Sequence, residues 1–214
     1  MEQLDVFVSV GGTATEKQEE FVQAVEKRLR SEGLVPHTVG RNTFSAGAPL
    51  KQVTELIDKC SGSVVIALER SHFQSGLEKR GGPKESVLEN VKLPTPWNQI
   101  EAALSYARGL PLLVIVESGL KGEGLLEHGY DWYVQTMEPD DSALNSVEFN
   151  GVLSSWKQMM LEKPRNAILA KKVEDLSVAE LFGSLKAVHL WSVIVALGAV
   201  VAGAFALGGQ LLAK

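Results

Sequence analysis

Short apolar runs alternate with helix-like repeats over the first 160 residues. Three runs, at residues 5–10, 63–68 and 112–116, are apolar and rich in β-branched side chains, which is typical of buried strands. A further strand is predicted at about 34–39. Strands that are apolar throughout and alternate with helices indicate βαβ units and a parallel sheet covered on both faces.

Capping residues and apolar faces predict the helices between these strands. Thr15 and Gln18 fit a capping box, and Gly33 lies where that helix would end. Further helices are predicted from Pro49 and from Thr95, and a last one ends before Pro164. The predicted buried positions are Phe21, Val25 and Leu29 in the first, Leu50, Val53, Ile57 and Cys60 in the second, and Val152, Leu153, Trp156 and Met160 in the last.

The connections after the strands indicate where a ligand would bind. Doubly wound sheets bind ligands outside the carboxyl ends of their strands. The segments expected there are 11–15, 40–48, 69–95 and 117–130. Residues 69–95 are long for a connection, and their nearly balanced charges favour an insertion with a partly ordered tip.

The C-terminal region has a different pattern. Residues 190–209 contain no charge, and twenty helical residues span about 30 Å, the thickness of a bilayer core. A buried core helix is the alternative, but no face of this segment is polar. We therefore predict a domain at 1–164, a juxtamembrane tether at 165–186 and a transmembrane helix at 187–213.

Charge around this span predicts its orientation. Lys171, Lys172 and Lys186 precede the span and Lys214 follows it, which predicts a single-pass protein of the cell membrane with its N-terminal domain in the cytoplasm. Residues 1–12 lack the basic region of a signal peptide. Small residues recur every four positions at 198, 202 and 206, which either favours helix–helix packing in lipid or reflects the abundance of Gly and Ala in such helices.

Composition excludes several classes of function. The formal net charge of −5 argues against a general nucleic-acid binder, which needs a positive surplus. The single cysteine, Cys60, excludes an internal disulfide and a multi-cysteine zinc site. His37 and His72 have no spacing typical of a metal-ligand set, so no metal is predicted.

Glu101 is the candidate catalytic residue. It follows Trp97 by four positions in a predicted helix, so the two side chains share one ridge near the helix start. Its neighbours Ile100, Ala103 and Leu104 are apolar, and a carboxylate there needs a partner such as a ligand hydroxyl. A solvated surface glutamate is the alternative.

Two loops offer binding groups. Gly11, Gly12 and Thr13 form a strand-to-helix turn whose free N–H groups are suited to a phosphate, although it matches no established glycine-rich motif. In the next loop, Arg41 is a candidate phosphate partner and Phe44 a stacking platform. An ordinary exposed loop explains the same residues.

Three segments resemble the Toll/interleukin-1 receptor (TIR) domain family. LDVFVSV resembles the opening box of that family, and FSAGAPLKQVTELIDKCSGSVVIAL resembles its second loop, helix and third strand. WNQIEAALSYARGLPLLVIV is similar to the segment of NAD-cleaving members in which a tryptophan precedes the catalytic glutamate by four. The similarity covers most of residues 4–160. The chain departs from the pattern at Val10, where the family has tyrosine, at 40–42 and in the long 69–95 segment.

The resemblance implies a fold and a site. The fold is a flavodoxin-like three-layer α/β fold with a parallel central sheet, to which a C-terminal transmembrane helix is added. Glu101 takes the position of the catalytic glutamate and Trp97 that of the motif tryptophan. The turn at 11–13 and the loop from Phe44 to Gly47 take the positions that frame the nicotinamide nucleotide.

The resemblance also implies function and partners. NAD is expected as substrate, with no resident cofactor, and a homo-oligomer is expected in bacterial immunity or cell death. The main hypothesis is a membrane-anchored effector that cleaves the N-glycosidic bond of NAD. The alternative is a non-enzymatic nucleotide sensor whose assembly clusters transmembrane helices and perturbs the bilayer. An adaptor that recruits other TIR domains is a third reading.

Overall fold

The computed structural model describes residues 3–44 and 48–162. Within them the strands are β1 (Leu4–Val10), β2 (Leu34–His37), β3 (Gly62–Ala67), β4 (Ser71–Glu78), β5 (Ser86–Leu93), β6 (Leu112–Glu117) and β7 (Tyr133–Met137). The α-helices are α1 (Glu16–Ser31), α2 (Pro49–Ile57), α3 (Pro96–Ala107) and α4 (Val147–Glu162). Short 3₁₀ turns lie at Gly124–Leu126 and Asp141–Asn145.

Five of these strands form one parallel sheet in the order β2-β1-β3-β6-β7. The predicted α/β class with a parallel central sheet is therefore confirmed. If only the five strands of this sheet are numbered along the chain, so that β6 counts as the fourth and β7 as the fifth, the order is 2-1-3-4-5, which is a doubly wound order. The winding reverses between β1 and β3, and this reversal defines where a ligand is expected.

The strands bury both of their faces, which produces three layers. In β3, Val64 and Ile66 pack in a core cluster with residues of α1 and α4. Their neighbours Val65 and Ala67 point the other way, into a cluster with Ala102 of α3. Side chains alternate along a strand, so each face meets its own helix layer.

The helix ends explain how the chain turns back onto the sheet. Thr15 accepts a hydrogen bond from the Gln18 backbone N–H at 3.2 Å, as the predicted capping box requires. The Gln18 side chain instead accepts from the Ala14 N–H at 2.8 Å, so the reciprocal half of the box is shifted by one residue. Gly33 follows α1 with φ +79°, a conformation that glycine adopts without strain.

One predicted core position differs. Leu50 is half-exposed, whereas Val53 and Ile57 of the same helix are buried against Phe7. Leu50 lies in the first turn of α2, which extends beyond that cluster. Cys60 is buried just after the helix, as predicted.

The segment 69–95 contains the β4–β5 hairpin, two strands that the prediction of an insertion with a partly ordered tip did not include. β4 and β5 pair antiparallel, and Phe73 lies opposite Val91 while Leu77 lies opposite Val87. Directly opposed apolar and aromatic side chains stabilise a pair of antiparallel strands. These cross-strand contacts account for the regular strand pairing of the hairpin. The strand β7 was not predicted.

Every helix in residues 3–44 and 48–162 is too short or too polar to cross a membrane. The predicted tether at 165–186 and transmembrane helix at 187–213 lie outside the described residues.

Candidate functional site

A narrow cleft opens at the point where the winding of the sheet reverses. Its walls come from the carboxyl ends of β1 and β3 and from the first turn of α3. The lining residues are Gly11, Gly12, Leu68, Glu69, Arg70, Thr95 and Asn98. Its free volume of about 10 Å³ holds about one water molecule, so a larger ligand requires the cleft to open.

Glu101 lies one turn further along α3 than the cleft-lining Asn98. Its exposed fraction is 8%, so the side chain is buried. Burial raises the pKa of Glu101 to about 7, and a hydrogen bond with the Ser9 side chain opposes that rise. At neutral pH the carboxyl group is therefore divided between its neutral and ionised forms.

Asn98 is a polar residue of this site that the sequence reasoning missed. It is 1% exposed, and its Nδ2 donates to Ser9 Oγ at 3.0 Å and to the Ile66 carbonyl at 3.3 Å. Its Oδ1 is buried and accepts no hydrogen bond from the described part of the chain. A buried acceptor of this kind is costly unless a ligand or water supplies a donor.

Ser9 connects the two side chains. It is fully buried in β1 and contacts both Asn98 and Glu101. The available signal was the spacing of Asn98 and Glu101, which are three apart and so share a helix face, together with a serine inside an apolar strand.

The glycine turn after β1 approaches α3 closely. A Cβ atom built on Gly11 would lie 2.8 Å from Thr95 Cγ2, so the backbone can come this near only without a side chain. Arg70 Nη1 donates to the Gly12 carbonyl at 3.2 Å across the cleft mouth. The Thr13 hydroxyl donates to Glu19 at 2.8 Å.

Arg41 and Phe44 are not among the residues that line the cleft. Arg41 donates to both carboxylate oxygens of Glu19, at 2.6 and 2.9 Å. These hydrogen bonds, with further ones from Gln23 and Thr13, lower the pKa of Glu19 to about 2. The structure thus joins Arg41 to α1. Phe44 is 75% exposed, and Gly47 lies outside the described residues.

Trp97 begins the ridge that ends at Glu101. It lies in the first turn of α3, and its backbone N–H donates to the Thr95 side chain at 3.4 Å. Its side chain is 42% exposed. Of the predicted site residues, the structure therefore gathers Gly11, Gly12, Trp97 and Glu101 around the start of α3.

A larger cavity of about 790 Å³ lies at the amino ends of β6 and β7, between α3 and α4. It is lined by apolar and aromatic side chains, among them Tyr106, Trp132 and Trp156, and by none of the predicted site residues. We take the smaller cleft as the candidate site because polar groups and a carboxyl group with a shifted pKa converge beside it. Within the described ranges, no three His, Cys, Asp or Glu side chains are placed to hold a metal ion.

Comparisons with known proteins give limited similarity. No protein family matches the sequence, and no curated protein matches it. Among solved structures, the CMP N-glycosidase BcmB of Clostridium botulinum is similar over 74% of this chain and 99% of its own, with 11% identity and a TM-score of 0.38. The TIR domains of the activated Roq1 resistosome, which recognises the pathogen effector XopQ, are similar over 91% and 99%, with 11% identity and a TM-score of 0.35.

The arrangement around Ser9 defines what this site can do chemically. A half-ionised carboxyl group is suited both to accepting a proton and to stabilising positive charge near it. At the start of α3, Pro96 has no N–H and the Trp97 and Asn98 N–H groups donate to Thr95, so this helix end is capped by the chain itself.

Proposed function

We propose that the protein is a TIR-like glycohydrolase that cleaves the N-glycosidic bond of NAD. The observation that carries the proposal is the burial of Glu101 behind the switch-point cleft, where Ser9 links it to Asn98. Support also comes from the sequence resemblance, in which Glu101 and Trp97 occupy the motif positions. The substrate would enter after the contact between Arg70 and the Gly12 carbonyl opens.

The proposed reaction needs one carboxylate and one water. The bond between the ribose C1′ and the nicotinamide nitrogen breaks, and its electron pair neutralises the pyridinium ring. The sugar then carries oxocarbenium charge, which ionised Glu101 stabilises. Water adds to C1′ and releases a proton to the carboxylate, so the products are nicotinamide, ADP-ribose and H⁺.

We also propose that this enzyme is attached to the cell membrane and acts as an oligomer. The attachment rests on the uncharged residues 190–209, and the domain would then lie in the cytoplasm. Oligomerisation rests on the resemblance to TIR domains, as does a role in bacterial immunity or cell death. A sensor that binds a nucleotide without cleaving it is the competing reading.

The test is release of nicotinamide from NAD by the full chain, reconstituted and clustered on lipid vesicles. We expect the wild type to release nicotinamide, and Glu101→Gln to lower the rate at least 100-fold while its affinity for NAD changes less than threefold. Glu20→Gln, an exposed carboxylate on α1, is the matched control and should keep the wild-type rate. Intact NAD after prolonged incubation with the wild type would exclude the glycohydrolase, and binding without cleavage would favour the sensor.

A further inference from the structure

The unsatisfied oxygen of Asn98 is the first of two features that identify the ligand class. The Nδ2 atom faces the carbonyl oxygens of Ser9 and Ile66, at 3.4 and 3.3 Å, and those groups only accept hydrogen bonds. The amide orientation is therefore determined by its surroundings, and Oδ1 is the atom that lacks a partner in the described part of the chain. An acceptor in that position requires a donor, such as a sugar hydroxyl.

Arg70 is the second feature. Its side chain is exposed at the mouth of the same cleft and donates to the neutral carbonyl of Gly12. In residues 3–44 and 48–162, no carboxylate forms an ion pair with it, and the neighbouring Glu69 is paired with Lys92 at 2.8 Å. A phosphate is a stronger partner for a guanidinium than a carbonyl is, because its hydrogen bonds are charge-assisted and bidentate.

Arg41, the phosphate partner predicted from the sequence, is already paired, whereas Arg70 is not paired with a carboxylate in the described residues. Both forked N–H groups of Arg41 bind Glu19. Arg70 instead faces the glycine turn, because a Cβ atom built on Gly12 would lie 3.4 Å from Arg70 Nη1, so the guanidinium occupies the space that a side chain at this position would need.

We propose that Arg70 and Asn98 together recognise a ribose phosphate: Arg70 exchanges the Gly12 carbonyl for the phosphate, and Asn98 Oδ1 accepts from a ribose hydroxyl. This inference rests on the proposed function and narrows its substrates to nucleotides, so that nucleosides without a phosphate are poor ligands. Loss of the Arg70–Gly12 contact would also widen the cleft from its present volume.

The first test compares substrates with and without a phosphate on the full chain in lipid vesicles. Arg70→Gln should raise the KM for NAD at least tenfold, with kcat within twofold of the wild type, and should leave KM for nicotinamide riboside unchanged. Arg80→Gln, which removes the same charge from the exposed turn of the hairpin, should leave both values unchanged. A KM for NAD that Arg70→Gln does not alter, in a chain that cleaves NAD, overturns the inference and leaves the proposed function standing.

The second test works without turnover and leaves Asn98 intact. Calorimetry on the Glu101→Gln chain measures binding of NAD, of nicotinamide riboside and of NAD analogues that lack the 2′- or the 3′-hydroxyl of the nicotinamide ribose. We expect at least tenfold weaker binding of the riboside and of one deoxy analogue. Equal affinity for NAD and the riboside, equal affinity for NAD and both deoxy analogues, or no binding of NAD at millimolar concentration overturns the inference, whether or not the wild type is active.

Discussion

Glu101 lowers the stability of the folded chain at the pH where it is expected to act. In the unfolded chain its carboxyl group ionises near the ordinary glutamate value, whereas burial raises its pKa in the folded chain to about 7. Between these values the folded state binds more protons than the unfolded state. The free energy of unfolding therefore falls as the pH rises from about 4.5 to about 7, and stays lower above that range.

Replacing Glu101 by Gln should remove this loss of folding stability at neutral and alkaline pH. The variant should be more stable than the wild type at pH 8 by on the order of 2 kcal/mol, because a neutral amide carries no charge to desolvate. The gain should largely disappear at pH 4.5, where the folded state holds a protonated carboxyl group and the unfolded state is only about half ionised. Urea unfolding of the two chains at both pH values measures it, with Glu20→Gln as the exposed control. Equal stability at pH 8 would contradict the burial of the carboxyl group.

Single residues show how far local sequence determines the site. The sequence left open whether Glu101 is partly desolvated or a solvated surface residue, and the apolar neighbours do not explain its burial, because Ile100 is 42% exposed and Ala103 is exposed. Asn98 and Arg70 could not be assigned, because their roles depend on Ser9 and Gly12, which are 89 and 58 positions away along the chain. The pairing of Arg41 with Glu19 is likewise a long-range contact, and short-range patterns do not contain it.

Strands and helices could be predicted from the sequence where a short stretch of residues, such as an apolar run or a helix cap, defines them. The strands β1, β3 and β6 are continuous apolar runs, and the helices α1 and α3 begin at threonine caps. The edge strand β7 was missed because its sequence, YVQTM, contains two polar residues and no apolar run. Its place in the sheet comes from pairing with β6, a tertiary contact.

The β4–β5 hairpin is attached to the rest of the domain at its base and, through Glu78, near its turn. The Arg70 N–H donates to the Leu93 carbonyl at 2.9 Å, so the two ends of the hairpin lie side by side. Lys121 joins it to the segment after β6 by an ion pair with Glu78 at 2.7 Å. Half or more of each of the side chains of Phe73 and Val87 is exposed, so the hairpin buries little apolar surface.

Excision of the hairpin should therefore leave the sheet intact. Replacing residues 72–92 by Gly-Ser-Gly connects two ends that are already adjacent. It removes two ion pairs that contribute about 0–1 kcal/mol each and one backbone hydrogen bond, from the Lys121 N–H to the Lys92 carbonyl, worth about 1 kcal/mol. We expect one cooperative thermal transition, with a midpoint less than about 8 °C below that of the full chain. A broad or absent transition would show that the hairpin is required for the parallel sheet.

At the scale of the whole molecule, the order of the strands in the sheet determines where the cleft lies. The order 2-1-3-4-5 sends the connections from β1 and β3 to opposite faces, and the gap between them receives the glycine turn and the start of α3. The alternation of strands and helices predicted a parallel sheet, but the order of its strands is set by packing between distant segments. For that reason the sequence predicts that a ligand binds at the carboxyl edge of the sheet, but it does not predict which side chains line the cleft.

The predicted membrane attachment concerns the part of the chain beyond the described residues, and its test uses the full chain. Residues 190–209 carry no charge, so we expect the protein to remain with membranes after a wash at alkaline pH. Replacing Val200 and Ala204 together by lysine should release it into the supernatant, since each lysine at the centre of a span costs about 3 kcal/mol.

The control for that experiment replaces the same two residues by leucine, which preserves the apolar character of the segment. This variant should stay in the membrane fraction, and both variants should retain the circular dichroism of the α/β domain, because the sheet and its two helix layers have their own core. A wild-type chain that the wash removes, or a double-lysine chain that stays bound, would contradict the span. Membrane attachment would then require another segment of the chain. The alternative hypothesis, a nucleotide sensor whose assembly clusters transmembrane helices, would lose its basis.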